Sequence, residues 1–396
     1  MEIAVIGCGP GGYAAAIEAA FRGAEVTVIS NELGGECLNR GCIPTKLILK
    51  KKANRATLEK IIEQFNDITE QTKQGMYYNL KKHKVKLING IASIDGTGTV
   101  FVDEQRIFYD YLIIATGSKA NVVDLPPKYN VIDCFELLKT PDKLPPEVCI
   151  LGAGAVGLEF AEILNNLGVK VTVSEQADEI IPSADVELAR RLRITMQECG
   201  IGFSLHNTVP TCKNVICCCG RIPVLPFGAE FLYDNKKRLP LNENFKTIIP
   251  NIYAIGDCTG KSFEAAFAVN QAQRVVDDIF SIENNHSYEI AHCIYTSPNL
   301  AWVGTAGNSD LTVRYSLNEM LYNFDEAESA MMKITYDPAS RRITSVHILS
   351  KQADTLISTA QMILRQNMTV DEMRTVCFPH PTVSEAFREI AMRAVK

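Results

Sequence analysis

The sequence predicts an α/β fold: two β-α-β units, each with a glycine turn, followed by a C-terminal α+β domain. Three observations carry this. A strand, a glycine turn, a helix and a second strand occur in that order twice, about 145 residues apart. Both turns have the G-x-G-x-x-G spacing, Gly7-Gly9-Gly12 and Gly152-Gly154-Gly157. The last 110 or so residues mix strands and amphipathic helices and contain no third glycine fingerprint. A length of 396 residues suits two to three domains.

The elements follow in order. Ile3–Ile6 is a short apolar strand, and residues 13–22 form a helix rich in alanine that Gly23 ends. Glu25–Ile29 alternates as a second strand. The charged stretch Lys50–Lys86 has helical spacing, and its lysines read as solvated helix faces. Short β runs fill residues 85–115, broken at Asp95-Gly96-Thr97-Gly98 and ending in Tyr111–Ala115 and Thr116-Gly117-Ser118. Pro141, Pro145 and Pro146 punctuate the chain before the pattern repeats: strand Val148–Leu151, helix 158–167, strand Val169–Val173. A third apolar strand, Thr247–Ile255, leads into Gly256-Asp257. Strands Lys333–Tyr336 and Ile343–Leu349 and helix Thr355–Arg365 belong to the last domain.

Composition narrows the function. A net charge of −6 gives no basic footprint for nucleic acid, so no nucleic-acid partner is expected. The apolar runs are too short to span a bilayer, and the N-terminus enters a strand at once, without the features of a signal peptide. Thirteen cysteines, many inside apolar strands, read as reduced thiols in a cytoplasmic protein.

Each glycine turn has a mechanism. The first Gly makes the turn, the second lets backbone approach a pyrophosphate, and the third lets helix and strand pack; the phosphates rest on the helix N-terminus. Two copies predict two dinucleotide sites. In the second unit Glu175 stands 18 residues past Gly157, at the strand end. There a carboxylate can hold the adenosine ribose hydroxyls and repel a 2′-phosphate, which favours NAD over NADP. In the first unit Ser30 holds the strand end; Glu32 nearby fits ribose binding and a solvated turn equally. Cys37 and Cys42 are five residues apart and would not face each other on a regular helix. Gly41 allows an irregular turn, and a thiolate near a helix start beside Arg40 and Lys46 would have a lowered pKa. Spacing alone leaves a redox disulfide and two unrelated buried thiols equally open. Cys217-Cys218-Cys219 reads as core strand, since neighbours point to opposite faces and cannot share a metal; no metal site is expected.

Taken together, Gly34-Gly35-Glu36-Cys37 through Lys46, both glycine turns, Ala115-Thr116-Gly117-Ser118, Tyr253-Ala254-Ile255-Gly256-Asp257, Tyr295-Thr296-Ser297-Pro298 and His380-Pro381-Thr382-Val383-Ser384-Glu385 resemble a class I pyridine nucleotide-disulfide oxidoreductase of the dihydrolipoamide dehydrogenase type. The resemblance runs over nearly the whole chain. It implies an FAD domain in two parts (1–142 and 251–283), an NAD domain (143–250) and an interface or dimerisation domain (284–396). FAD would lie on Gly7, Gly9 and Gly12, with Thr116, Gly117, Ser118, Asp257 and Ala265 around it. NAD would lie on Gly152, Gly154 and Gly157, with Glu175 and Gly220. Cys37 would exchange with substrate, Cys42 would face the flavin, and Lys46 and Glu159 would pair beside the flavin ring. His380 would be the acid/base, oriented by Glu385, in the active site of the partner subunit of a homodimer. The implied reaction is oxidation of dihydrolipoamide by NAD⁺, served to a lipoyl-bearing acyltransferase or another lipoyl protein of a 2-oxo acid dehydrogenase or glycine cleavage complex. The alternatives are another disulfide or metal-ion reductase of the family, or a catalytically impaired structural relative.

Other readings stand beside these. Thr382 and Glu385 also fit a capping box, so Glu385 could simply cap a helix. Glu159 could be a solvated helix charge. Three departures from the family pattern are expected to matter. Ser30 replaces the usual ribose acid. Ala266 and Phe378 stand where histidines are frequent. Around Val209-Pro210-Thr211-Cys212 the usual strand meander of the NAD domain is missing, which would trim that domain.

Overall fold

The computed structural model of the chain describes residues 1–96, 98–139, 143–234, 238–283, 289–320 and 328–394. Thr97, Pro141, Val395 and Lys396 lie outside these. The chain divides into two compact units. Residues 1–47, 59–121 and 220–286 form one; residues 48–58, 122–219 and 287–396 form the other. Residues 220–250, read above with the NAD domain, thus belong with the first unit.

The first unit is built on a five-stranded parallel sheet in the order Ile252–Ala254, Tyr111–Ile114, Glu2–Cys8, Glu25–Leu33, Lys86–Ile88. The central strands are apolar and buried on both faces, as a helix-covered parallel sheet requires. Helix Pro10–Phe21 starts three residues earlier than its alanines suggest, because Pro10 suits a first helical turn. It packs on helix Ala265–Ile279, where a Cβ on Gly11 would meet Ala268 at 3.1 Å. Strands Ala92–Ile94, Thr99–Val102 and Gln105–Phe108 form a separate antiparallel sheet. Ser118–Ala120 and Arg221–Pro223 form an antiparallel ribbon where the chain leaves and re-enters this unit. The expected strand Thr247–Ile255 is cut down to Ile252–Ala254. Pro250 has no N–H to give to a ladder, and a turn from Ile249 O to Ile252 N takes its place.

The second unit holds two sheets. One is parallel, in the order Gly202–Ser204, Lys170–Ser174, Glu147–Leu151, Asn214–Cys217, Asn130–Val131. Between Gly202–Ser204 and Asn214–Cys217 the chain makes only the loop 205–213, where the expected meander is missing. Asn207 closes that loop: its side chain bonds Ser204 Oγ and the backbone N–H and C=O of Val209. The other sheet is antiparallel, in the order His292–Ile294, Asn299–Gly304, Ile343–Ser350, Met331–Tyr336, Leu311–Ser316. Helices Ala353–Arg365 and Ala386–Ala394 bury their apolar faces against it. No described helix is long and apolar enough to cross a membrane.

Candidate active site

The first glycine turn fits a dinucleotide. A Cβ on Gly7 would lie 2.3 Å from Ala115 O, and one on Gly12 would lie 2.1 Å from Gly7 O; both positions demand glycine. At Gly9 the nearest atom is Gly35 Cα at 4.0 Å, so space is open over the helix N-terminus. Gly9 is the N-cap and offers no side-chain cap, which leaves the first-turn N–H groups for a phosphate. Ser30 is turned inward: its hydroxyl donates to Glu32 O at 2.8 Å. Glu32 is half-buried, and both its oxygens hold Arg40, at 2.9 and 2.7 Å.

The second turn repeats the geometry. A Cβ on Gly152 would lie 2.4 Å from Cys218 O, one on Gly157 would lie 2.0 Å from Gly152 O, and Gly154 has nothing within 4 Å. The strand ends at Cys217, so of the expected core-strand cysteines Cys218 and Cys219 lie just past it, half-buried, with Cys218 packed against this turn. Burial pushes its thiol well up. Among the described residues no three metal-ligating side chains gather into a site. Glu175 is buried. Its Oε2 accepts the Ala153 N–H at 2.7 Å and its Oε1 the Ala177 N–H at 2.9 Å, so it braces the glycine turn itself. Gly220 stands just before the ribbon strand Arg221–Pro223 with φ +91° and open space around its Cα.

Cys37 and Cys42 come together. Cys37 lies in the short helix Gly35–Asn39, and Cys42 opens helix Cys42–Lys50. The join is closed by Glu36 O, which accepts the N–H groups of Arg40 and Gly41 at 2.8 and 2.7 Å. A Cβ on Gly41 would sit 3.4 Å from Cys37 Cα, so glycine permits the close approach. Asn39 ties the segment to Leu33 O and Gly35 O. Gly35 in turn lies against Gly9, where a Cβ would be 2.9 Å from Gly9 Cα, so the cysteine segment abuts the phosphate turn. The two sulfurs share a hydrogen bond, and all thirteen cysteines are thiols. The Cys37 thiol titrates above its ordinary range. Its hydrogen bond with Cys42, then burial, then repulsion from a Cys42 thiolate push it well up, against the Cys42 N–H and Lys46, which pull it down. Arg40 does not help because Glu32 holds it.

Around Asp257 lies a polar chain. Ser118 donates to Asp257 Oδ2 at 2.6 Å and accepts from Arg221 Nε at 2.6 Å. Arg221 Nη2 also donates to Ser118 O at 2.9 Å and to Glu36 Oε2 at 2.5 Å. Burial raises the Asp257 pKa; Ser118 and Arg221 oppose this, and Glu36 and Glu264 add to it. Thr116 donates to Val224 O at 2.5 Å, and Gly117 O accepts the Val224 N–H. Ala265 and Ala266 open helix Ala265–Ile279. Sequence reasoning named neither Arg221 nor Glu36 as functional; they are 185 residues apart, and nothing local marks the pair.

In the second unit Glu159 is 2% exposed, which rules out the solvated reading. Its Oε1 accepts the Tyr295 N–H at 3.2 Å. His380 stands 58% exposed on the segment before helix Ala386–Ala394. Its Nδ1 is 3.1 Å from Glu385 Oε2, while Glu385 Oε1 accepts the Thr382 N–H at 3.0 Å. Those two contacts, the backbone one first, hold the Glu385 carboxyl below its usual range.

Known proteins fit this arrangement. Residues 1–214 match the pyridine nucleotide-disulphide oxidoreductase sequence family, and residues 290–391 match its dimerisation domain. The mitochondrial dihydrolipoyl dehydrogenases of Bos taurus and Mus musculus are each 29% identical over 463 aligned positions, covering 99% of this chain and 90% of theirs. That alignment is longer than the chain, so the relatives carry residues this one lacks. Among solved structures, LpdA from Mycobacterium tuberculosis superposes with a TM-score of 0.89 at 21% identity, covering 100% of this chain and 99% of that one. The Cu(II) complex of the HOCl-induced flavoprotein disulfide reductase RclA from Escherichia coli superposes with a TM-score of 0.87 at 22% identity, covering 100% of both chains. These two likenesses speak to the fold.

Proposed function

The chain belongs to the pyridine nucleotide-disulphide oxidoreductases, enzymes that in the lipoamide dehydrogenase type use FAD and NAD(H), and from that premise we propose that it oxidises protein-bound dihydrolipoamide with NAD⁺ as a homodimer. The observation that carries the reading is the Cys37–Cys42 pair, hydrogen-bonded across the Gly41 turn and abutting the first glycine turn.

In this reading His380 of one subunit takes the proton from a substrate thiol at Nε2, while Glu385 holds Nδ1 and stabilises the imidazolium. The substrate thiolate attacks Cys37 of the disulfide; the Cys37–Cys42 bond breaks and Cys42 leaves as thiolate. The second substrate thiol then displaces Cys37, so the substrate becomes a disulfide and the cysteine pair a dithiol. FAD, when bound, supplies the path by which the two electrons leave the dithiol for NAD⁺. Gly9 and Gly154 open the helix N-termini to the two pyrophosphates, and Glu175 disfavours a 2′-phosphate. A lipoyl-bearing acyltransferase or another lipoyl protein would present the substrate, and the thirteen thiols suit a reducing compartment such as the cytoplasm.

Steady-state assays with NADH and either lipoamide, glutathione disulfide or a metal ion as acceptor test the proposal. Lipoamide as the preferred acceptor supports it. Preference for another acceptor favours the alternative family reductases, and NADH oxidation with none of them overturns the catalytic reading.

A further inference from the structure

Four side chains from four separate stretches of sequence come together: Glu36 from the cysteine segment, Ser118 and Arg221 from the two strands of the ribbon, and Asp257 from the turn Gly256–Thr259. Arg221 is the cation among three carboxylates that act on this spot, those of Glu36, Asp257 and Glu264. Its guanidinium spends its donors on Ser118 Oγ, Ser118 O and Glu36 Oε2, and its Nε stands 3.6 Å from Asp257 Oδ2. Because Arg221 donates to Ser118 Oγ, the Ser118 proton must point elsewhere, and it points to Asp257 Oδ2. The contacts from Ser118 and Arg221 both fall on Oδ2. Asp257 is half-buried; burial raises its pKa, and Ser118 and Arg221 oppose that rise.

We propose that Arg221 is a positioning residue for FAD: through Ser118 it aims the Asp257 carboxylate, and Glu36 restrains Arg221 in turn. The inference rests on the reading of Asp257 as an FAD contact. It also ties the residue beside the exchanging Cys37 to the flavin-binding acid through one guanidinium.

A purely structural ion pair and a charge-setting one differ in sign. Removing Arg221 leaves Asp257 facing Glu36 and Glu264 alone, so the carboxyl protonates at higher pH. Removing the Glu36 charge leaves Arg221 wholly to Ser118 and Asp257, so protonation moves to lower pH. A structural pair predicts the same loosening from either change.

The test is FAD binding to the full-length apoprotein, followed by quenching of flavin fluorescence from pH 4.5 to 8, with a melting curve for each variant. Arg221→Met should bind FAD at least about tenfold more weakly at neutral pH, with the acid fall in affinity displaced upward by roughly half a pH unit or more, the scale expected for a nearby partly screened charge. Glu36→Gln should bind within about threefold of the parent at pH 8, with the acid fall displaced downward. Arg221→Lys should restore the position of the acid fall but not the full affinity, since lysine lacks the fork. If Arg221→Met does not fold, Ser118→Ala takes its place: it breaks the relay and should also move the acid fall upward. Displacement of Arg221→Met and Glu36→Gln in the same direction, or of neither, overturns the inference. FAD binding to no form at any pH overturns the FAD reading of Asp257 itself and this inference with it.

Discussion

His380 Nδ1 lies 3.1 Å from Glu385 Oε2, and the other oxygen of that carboxylate accepts the Thr382 N–H at 3.0 Å. One carboxylate thus both contacts the imidazole and caps the turn Val383–Glu385. His380→Gln is predicted to cost on the order of 10²–10⁴ in lipoamide turnover, the usual share of general acid–base catalysis. NADH-to-dye transfer, which uses no substrate thiol, should fall far less. Glu385→Gln keeps a cap acceptor and should give a smaller loss of the same kind with little change in melting. Glu385→Ala should add the loss of the cap, read as a lower melting temperature. Parallel losses in both assays would refute the catalytic assignment.

Cys42→Ser is predicted to abolish lipoamide turnover while FAD stays bound. The hydrogen bond at Cys37 could be kept by a hydroxyl, but no disulfide could form. Measured turnover near the parent's would exclude the redox pair.

The glycine turns give a prediction about space. Gly154→Ala adds a methyl where nothing lies within 4 Å, so the fold should keep its melting temperature while NADH affinity falls. Gly157→Ala forces a Cβ to 2.0 Å from Gly152 O and should instead lower stability. Calorimetry of nucleotide binding beside melting curves separates the two; equal behaviour would mean that phosphate does not approach Gly154.

Nucleotide choice follows from Glu175. NADH should be preferred over NADPH by at least about tenfold, roughly 1.4 kcal/mol. Because Glu175 also accepts the Ala153 and Ala177 N–H groups, Glu175→Ala should narrow the gap and weaken both nucleotides. Equal use of both by the unaltered protein would refute the assignment.

The share of this that the sequence revealed follows the range of each interaction. Both glycine turns were legible because the fingerprint is local: turn, approach and packing lie within six residues. Spacing leaves the cysteine pair open: Gly41 permits the approach of the two thiols, and only the folded turn brings them together. The electrostatics of the pair were not legible. Arg40 looked available for the thiol, but Glu32, eight residues back, takes its fork, and the coupling of two sulfurs outweighs Lys46. The strand Thr247–Ile255 was overextended because apolar character was followed through Pro250. The Glu36–Arg221 contact joins residues 185 apart, beyond any spacing argument.

A pH prediction comes from His347. Burial, with help from Lys333, pushes its pKa from 6.5 down to about 4, against Asp185, and its Nδ1 has no hydrogen-bond partner among the described residues. Above pH 6.5 it is neutral folded or unfolded. Between 6.5 and about 4 the unfolded chain takes a proton that the folded protein refuses, so stability falls as pH drops through that window, by up to roughly 3 kcal/mol. Urea unfolding at pH 7 and 4.5 should show this loss, and His347→Leu should reduce it. An equal loss in the variant would assign the acid sensitivity elsewhere.

The central claim is that Cys37 and Cys42 form a disulfide that passes electrons from a dithiol substrate to a flavin. Anaerobic titration of the purified, FAD-loaded protein with dihydrolipoamide, recorded as a flavin spectrum, tests it most directly. The account predicts a long-wavelength thiolate–flavin band that grows to one equivalent of dithiol per subunit and is missing in Cys42→Ser. A flavin spectrum that dihydrolipoamide leaves unchanged, or a band of equal strength in Cys42→Ser, would contradict it.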